Sequence, residues 1–185
     1  MTKPPKRFSI EKSIFVVIDV QGRLAYLMHE KEMLFRHIQA LVYAADYLNI
    51  PVIFTEQVPE KIGATIPEIT GLFKNRKPIT KKTFSCWGSQ EFQKKITALK
   101  RKEIILCGIE THVCLYQTAV DLIEAKFDVQ VVADAVSSRT KENKDIALNR
   151  IQAFGASLTS AEMLMCELLK TSTHPQFKEV LKLIR

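Results

Sequence analysis

The chain has 185 residues, with 27 Lys and Arg against 20 Asp and Glu for a formal net charge of +7, and it is 46% hydrophobic and 25% charged. That length suits one domain burying about 70% of its unfolded surface around a single core, with no need of disulfides or metal to fold. Apolar runs such as residues 14–18 fall far short of the ~20 residues that cross a bilayer, so no membrane-spanning segment is expected.

Residues 1–12 are basic but lack the apolar stretch of roughly 7–15 residues that a secretory signal needs, and they read as a solvated tail ahead of a domain at 13–185. The early run of Lys3, Lys6 and Arg7 before any acidic residue keeps a mitochondrial matrix address open beside a cytoplasmic one. Cys86, Cys107, Cys114 and Cys166 follow neither a CxxC nor a secreted disulfide pattern, which points to free thiols in a reducing compartment. The excess positive charge is spread over clusters at 74–82 and 94–102 with no interleaved glycines or aromatics. It reads as solvated surface and disfavours a nucleic-acid partner.

Short β-branched runs alternate with longer amphipathic stretches, the pattern of βαβ units and a parallel sheet. Residues 14–20 read as a buried strand, and apolar residues from Met33 to Leu48 recur at helical spacing. Pro51 then stops the helix before a strand at 52–55. Pro59, Gly63, Pro67, Gly71 and Pro78 break the next stretch into a long loop with one helical turn near 67–72, and a loop of that length is commonly a site wall or lid. A helix at 90–99, a strand at 103–109 and a helix from about Thr111 follow. The chain then continues with a strand at 129–133, a helix at 141–154, a strand at 156–159, a helix at 161–169 and an amphipathic end at 175–184.

Ligands of open parallel sheets bind beyond the carboxyl ends of the strands. Asp19 ends the first strand, and a carboxylate after five apolar residues needs a cation or a polar network. In EIILCGIETHVCLYQ the strand runs through Gly108 and Glu110 to Cys114 at the start of a helix. Free amides and the positive helix end there favour the thiolate and could hold an oxyanion. On this basis Cys114 should be the thiol alkylated fastest near neutral pH. A cysteine nucleophile also needs a positive neighbour, and the long loop supplies adjacent Lys81 and Lys82, between which local sequence does not choose.

Taken together, Asp19, the lysine before Thr-Phe-Ser, CGIE with Cys114, VVADAVSSR (131–139), FGASLTSAE (154–162) and HPQFKEVLKLI (174–184) resemble the isochorismatase-like cysteine hydrolases, and in particular the eukaryotic isochorismatase-domain-containing proteins. The resemblance implies a three-layer α/β/α domain around a six-stranded parallel Rossmann-like sheet. It implies an Asp19, Lys82, Cys114 triad, with Lys82 preferred because it directly precedes Thr-Phe-Ser. It also implies a cis Ile109–Glu110 peptide and an oxyanion hole from the Glu110 and Cys114 amides. The implied reaction is hydrolysis of a C–N bond in a small amide-like molecule through a thioester, in a homo-oligomer of two or more chains.

Metal-dependent relatives carry Asp-x-His and further histidines after the second strand. Here FTEQVPEKIGATIPEI has no histidine, so neither a metal nor any other cofactor is expected. Gln21, Phe84 and Trp87 are candidate pocket residues, with core packing the competing role for Phe84. Two other readings stand beside the hydrolase: an idle scaffold on the same fold, and a basic nucleic-acid-binding protein or nuclease.

Overall fold

Six segments are strands: β1 (Ser13–Ile18), β2 (Val52–Gln57), β3 (Ile79–Lys81), β4 (Glu103–Ile109), β5 (Asp128–Ser137) and β6 (Ser157–Thr159). In the computed structural model, which describes residues 6–184, they form one parallel sheet in the order β3-β2-β1-β4-β5-β6. Both faces are covered, which is why the inner strands are apolar almost without interruption. Along β1 the side chains alternate. Phe15 and Val17 join the core under α2 (Lys31–Tyr47) and α8 (Ala161–Leu169), whereas Ile14, Val16 and Ile18 join the core under α5 (Gln90–Ala98), α6 (Tyr116–Glu124) and α7 (Lys141–Ala153). The three-layer α/β/α architecture is as expected from the resemblance. Among the described residues no helix is long and apolar enough to cross a membrane.

Helix starts follow capping chemistry: the hydroxyls of Ser89, Thr140 and Ser160 accept from the Phe92, Asn143 and Met163 amides ahead of α5, α7 and α8. A single turn, α1 (Gly22–Ala25), follows β1, and the stretch read as a loop contains α3 (Pro59–Ile62), α4 (Pro67–Thr70) and the edge strand β3. Strand β3 is too short to show a period in sequence, yet it obeys one: Ile79 and Lys81 point inward and Thr80 outward.

One expectation about the ends is corrected. Residues 6–12 are not a solvated tail. Phe8 is 3% exposed in the core, its amide donates to Glu167, and the Ser9 amide donates to Glu103. Their polar backbone groups have partners in the domain, so the segment belongs to it; Lys3 lies outside the described residues. The apolar stripe at 177–184 meets its own core: α9 (Phe177–Leu181) buries Val180 fully, and Phe177 and Ile184 cover the same cluster. It therefore gives no support to an oligomer.

Candidate active site

From β1 the chain winds outward to β2 and β3, then returns to the other side of β1 for β4, so the switch point at which sheets of this kind form their ligand crevice lies beyond the carboxyl ends of β1 and β4. Asp19 follows β1 directly, in left-handed backbone at φ 50°, and is 3% exposed. Gly108, opposite Ile18 in the register, takes φ 115°. A Cβ there would stand 2.1 Å from the Ile18 carbonyl oxygen, so only glycine lets β4 pass this close to the strand that delivers Asp19. Beyond it the Ile109–Glu110 peptide is cis, and a π-helical turn, Thr111–Leu115, carries Cys114 into α6. The Glu110 carbonyl accepts from the Val113 and Leu115 amides at 3.1 and 3.2 Å, passing over the Cys114 amide between them.

Lys81, the last residue of β3, reaches across to the same place. Its Nζ lies 2.5 Å from Asp19 Oδ2, with the side chains only 1% and 4% exposed. The ammonium also donates to Gln57 Oε1 (2.8 Å) and to the Phe84 and Thr83 carbonyls (3.0 and 3.3 Å). The other carboxylate oxygen, Asp19 Oδ1, accepts from Thr55 Oγ1 at 2.7 Å. Thr55 in turn accepts from Cys86 Sγ at 3.7 Å, and Thr118 Oγ1 bridges the Cys86 amide to the Cys114 carbonyl. A carboxylate, an ammonium and a thiol from three strand ends thus share one desolvated site.

The Cys114 thiol is pushed up to about 12, first by burial and then by the negative charge of Asp19; Lys81 opposes this. Burial works against the Lys81 charge too, but the influence of Cys86, Asp19 and Cys114 outweighs it and leaves the ammonium above the ordinary lysine value. Cys114 is therefore held as a thiol beside Asp19, not as the preformed thiolate expected from a helix end. Cys114 is 8% exposed, whereas Cys166 is exposed, so access no longer favours Cys114 as the fastest-labelled cysteine.

Of the residues singled out in sequence, the structure brings Asp19 and Cys114 to one place and adds Lys81 to them rather than Lys82. Lys82 is exposed and lies past the end of β3, where only its carbonyl takes part, accepting from Gln57 Nε2. Alternation carries Lys81, not Lys82, to the buried side with Ile79. Gln21 offers nothing to a pocket: it is fully buried, and its amide is consumed by the backbone of Gln57 and Gly63. Trp87 turns its ring edge-on to Phe127, 5.3 Å away at the amino end of β5, and covers the core. Phe84 is 55% exposed, which rules out the core role and leaves it on the rim beside Lys81. Glu110 holds Arg139 through its carboxylate, and His112 is engaged by the Ser138 hydroxyl.

Sequence reading missed Thr55, Gln57, Cys86 and Thr118. The sheet register carries the signal for the first two, because Thr55 pairs with Ile18, next to Asp19, and Gln57 pairs with Lys81. Among the described residues no cluster of His, Cys, Asp and Glu is suited to hold a metal ion. A wider cleft of about 710 Å³ lies near the amino ends of β5 and β6, lined in part by Phe8, Lys126 and Phe154, and contains none of these groups.

Comparison with known proteins matches the Isochorismatase domain to residues 13–163. Isochorismatase domain-containing protein 2 of Danio rerio is 35% identical over 179 residues, covering 96% of this chain and 89% of the relative. The structure described as the MAR1 ribonuclease from Caenorhabditis elegans superposes with a TM-score of 0.90 at 36% identity, covering 97% of this chain and 92% of that one. Two YcaC structures, each 26% identical, superpose comparably. The one from Pseudomonas aeruginosa, with hexane-2,5-diol and covalent acrylamide, has a TM-score of 0.90 and coverages of 96% and 91%. The one from Escherichia coli, described as an octameric hydrolase of unknown specificity, has a TM-score of 0.87 and coverages of 98% and 97%. The matched domain, spanning both the crevice and the strands that build it, places the chain in the isochorismatase-like hydrolase family, among relatives that include eukaryotic isochorismatase-domain-containing proteins.

Proposed function

We propose that the chain hydrolyses a C–N bond of a small amide-like molecule, with Asp19, Lys81 and Cys114 as the catalytic residues. The observation that carries this reading is the buried Asp19–Lys81 contact of 2.5 Å beside the Cys114 thiol, three groups delivered by three separate strand ends. Asp19 takes the thiol proton as Sγ attacks the carbonyl carbon, while Lys81 balances the charge passing through the site. The Glu110 and Cys114 amides stabilise the oxyanion. Collapse of the tetrahedral intermediate breaks the C–N bond, and Asp19 returns its proton to the departing amine, leaving a thioester on Cys114. Water then adds to the thioester, giving up a proton to Asp19. Collapse of this second intermediate expels the Cys114 sulfur, Asp19 returns the proton to it, and release of the acid restores the thiol and the carboxylate.

A panel of small primary and N-substituted amides, assayed with the wild type and Cys114→Ala, tests this reading. It expects amine release from at least one amide, an acyl adduct on the Cys114 peptide by mass spectrometry, and loss of both in the variant. Turnover that survives Cys114→Ala sinks it. The ribonuclease reading draws on the description of the C. elegans relative; a single-stranded RNA in the same panel, cleaved by wild type but not by Cys114→Ala, would replace the amide proposal. The octameric E. coli YcaC likewise supports a homo-oligomer, and a monomeric mass in light scattering refutes that.

A further inference from the structure

We infer that Gln57 is a positioning residue that holds the Lys81 ammonium in register with Asp19 and Cys114, an inference that rests on the triad proposed above. Of the four acceptors around Lys81 Nζ, Asp19 carries charge and two are main-chain carbonyls of the turn after β3. Gln57 Oε1, at 2.8 Å, is the other side-chain acceptor. Its amide orientation is decided by chemistry. Nε2 donates to the Lys82 carbonyl at 2.9 Å, and a flipped amide would set NH₂ against the ammonium and oxygen against that carbonyl. The backbone of Gln57 is clamped as well, because Gln21 Oε1 accepts from its amide at 2.6 Å and Gln21 Nε2 donates to its carbonyl at 3.2 Å. Since Gln57 also pairs with Lys81 in the β2–β3 register, one side chain ties the start and the end of the lysine's turn together.

The neutrality of the amide matters as much as its position. Lys81 has one carboxylate partner, so when the Cys114 proton moves to Asp19 the ammonium is left facing the new thiolate. A carboxylate at position 57 would compete for that ammonium and add a negative charge against the thiolate, and an apolar side chain would leave the ammonium one acceptor short. Gln57 touches neither the thiol nor the reacting carbon in this scheme and acts through Lys81.

The experiment follows iodoacetamide alkylation of the Cys114 peptide by mass spectrometry in the full-length protein, as a function of pH, so that no substrate need be known. Gln57→Glu, nearly isosteric, should displace the profile upward by about one pH unit and slow alkylation about tenfold at about pH 8. Gln57→Met should slow it about threefold to tenfold without adding charge, and it serves as the reporter if the charged variant does not fold. Lys81→Met is the reference and should displace the profile upward further. Wild-type profiles in both Gln57 variants, with Lys81→Met displaced, would overturn the role of Gln57 and leave the triad standing. A wild-type profile in Lys81→Met would overturn both. A purely structural role for Gln57 would lower the melting temperature and leave the alkylation profile in place, and that result also overturns the inference.

Discussion

Two buried carboxylates meet a lysine at opposite ends of the sheet. At the amino end, Glu103 opens β4, is 1% exposed, and receives the Ser9 amide, the Ser9 and Ser13 hydroxyls and Lys6 at 3.0 Å. At the carboxyl end, Asp19 receives Thr55 and Lys81. The pairs differ in the cation: the Lys6 side chain is 43% exposed and solvated, and that of Lys81 is 1% exposed. A half-solvated lysine can fasten the N-terminal segment at little desolvation cost. A fully buried one is worth keeping only if it does something an apolar pair could not, because replacing a buried ion pair with packed apolar residues is often neutral or stabilising. The thiol beside Asp19, absent at Glu103, supplies that task.

Removing the buried cation should have the largest effect. Lys81→Met leaves Asp19 buried without its charge partner, at a cost of about 3 kcal/mol or more in stability, and should lower turnover of any amide found active by about 10³-fold. The double variant Asp19→Asn, Lys81→Met separates the two losses: denaturant unfolding should show stability largely restored while turnover stays absent. Stability and turnover recovering together would mean the pair is structural, like the one at Glu103.

The thiols provide the next test. Cys107 is pushed up to about 12 by burial alone, whereas Cys114 reaches a similar value with Asp19 raising it and Lys81 lowering it. Asp19→Asn should therefore lower the Cys114 value, making alkylation about tenfold faster at a given alkaline pH, and Lys81→Met should do the reverse; Cys107 should respond to neither. Because both folded-state values lie above the ordinary 9.0, the unfolded chain loses these protons first. Stability is thus fully present below about pH 9 and falls as pH rises toward 12, by up to about 1 kcal/mol per unit for each thiol. A thermal-melt series that is flat across that window would contradict the burial of these thiols.

A smaller effect is expected at the amino end. Glu103→Gln keeps the shape and gives up the charge, and should cost about 1 kcal/mol of stability with turnover unchanged. A turnover loss there of the size seen at Lys81 would erase the distinction between the two ends.

Much of this was legible in sequence because the signal was local. The helices from 31 to 47 and 161 to 169 carry apolar residues at helical spacing, the second behind a Ser160 cap, the strand at 103–109 is an unbroken apolar run after Glu103, and Asp19 and Cys114 sit where a parallel sheet puts its ligands. What was not legible depended on neighbours distant in sequence. Thr55 and Gln57 acquire roles only through the β1–β2 and β2–β3 registers, and Thr118 only through the turn that brings Cys86 over α6. Phe8 looked like part of a tail because Glu167, which takes its amide, and Glu103, which takes that of Ser9, lie far away along the chain.

The choice between Lys81 and Lys82 turns on a strand of three residues, and the smallest predicted effect tests it. A motif-adjacency argument selects the lysine beside Thr-Phe-Ser, but a strand presents alternate side chains to opposite faces whatever motif follows it. With Ile79 inward, residue 81 must be inward too, and residue 82 begins the turn. Lys82→Ala deletes an exposed side chain while keeping the carbonyl that Gln57 uses, so the melting temperature and the Cys114 alkylation profile should both stay at wild-type values, with turnover within about twofold. If instead Lys82→Ala matched Lys81→Met, β3 would have to slip by one residue in solution, which would turn Ile79 outward and take it from the buried cluster it shares with Phe92 and Ile53.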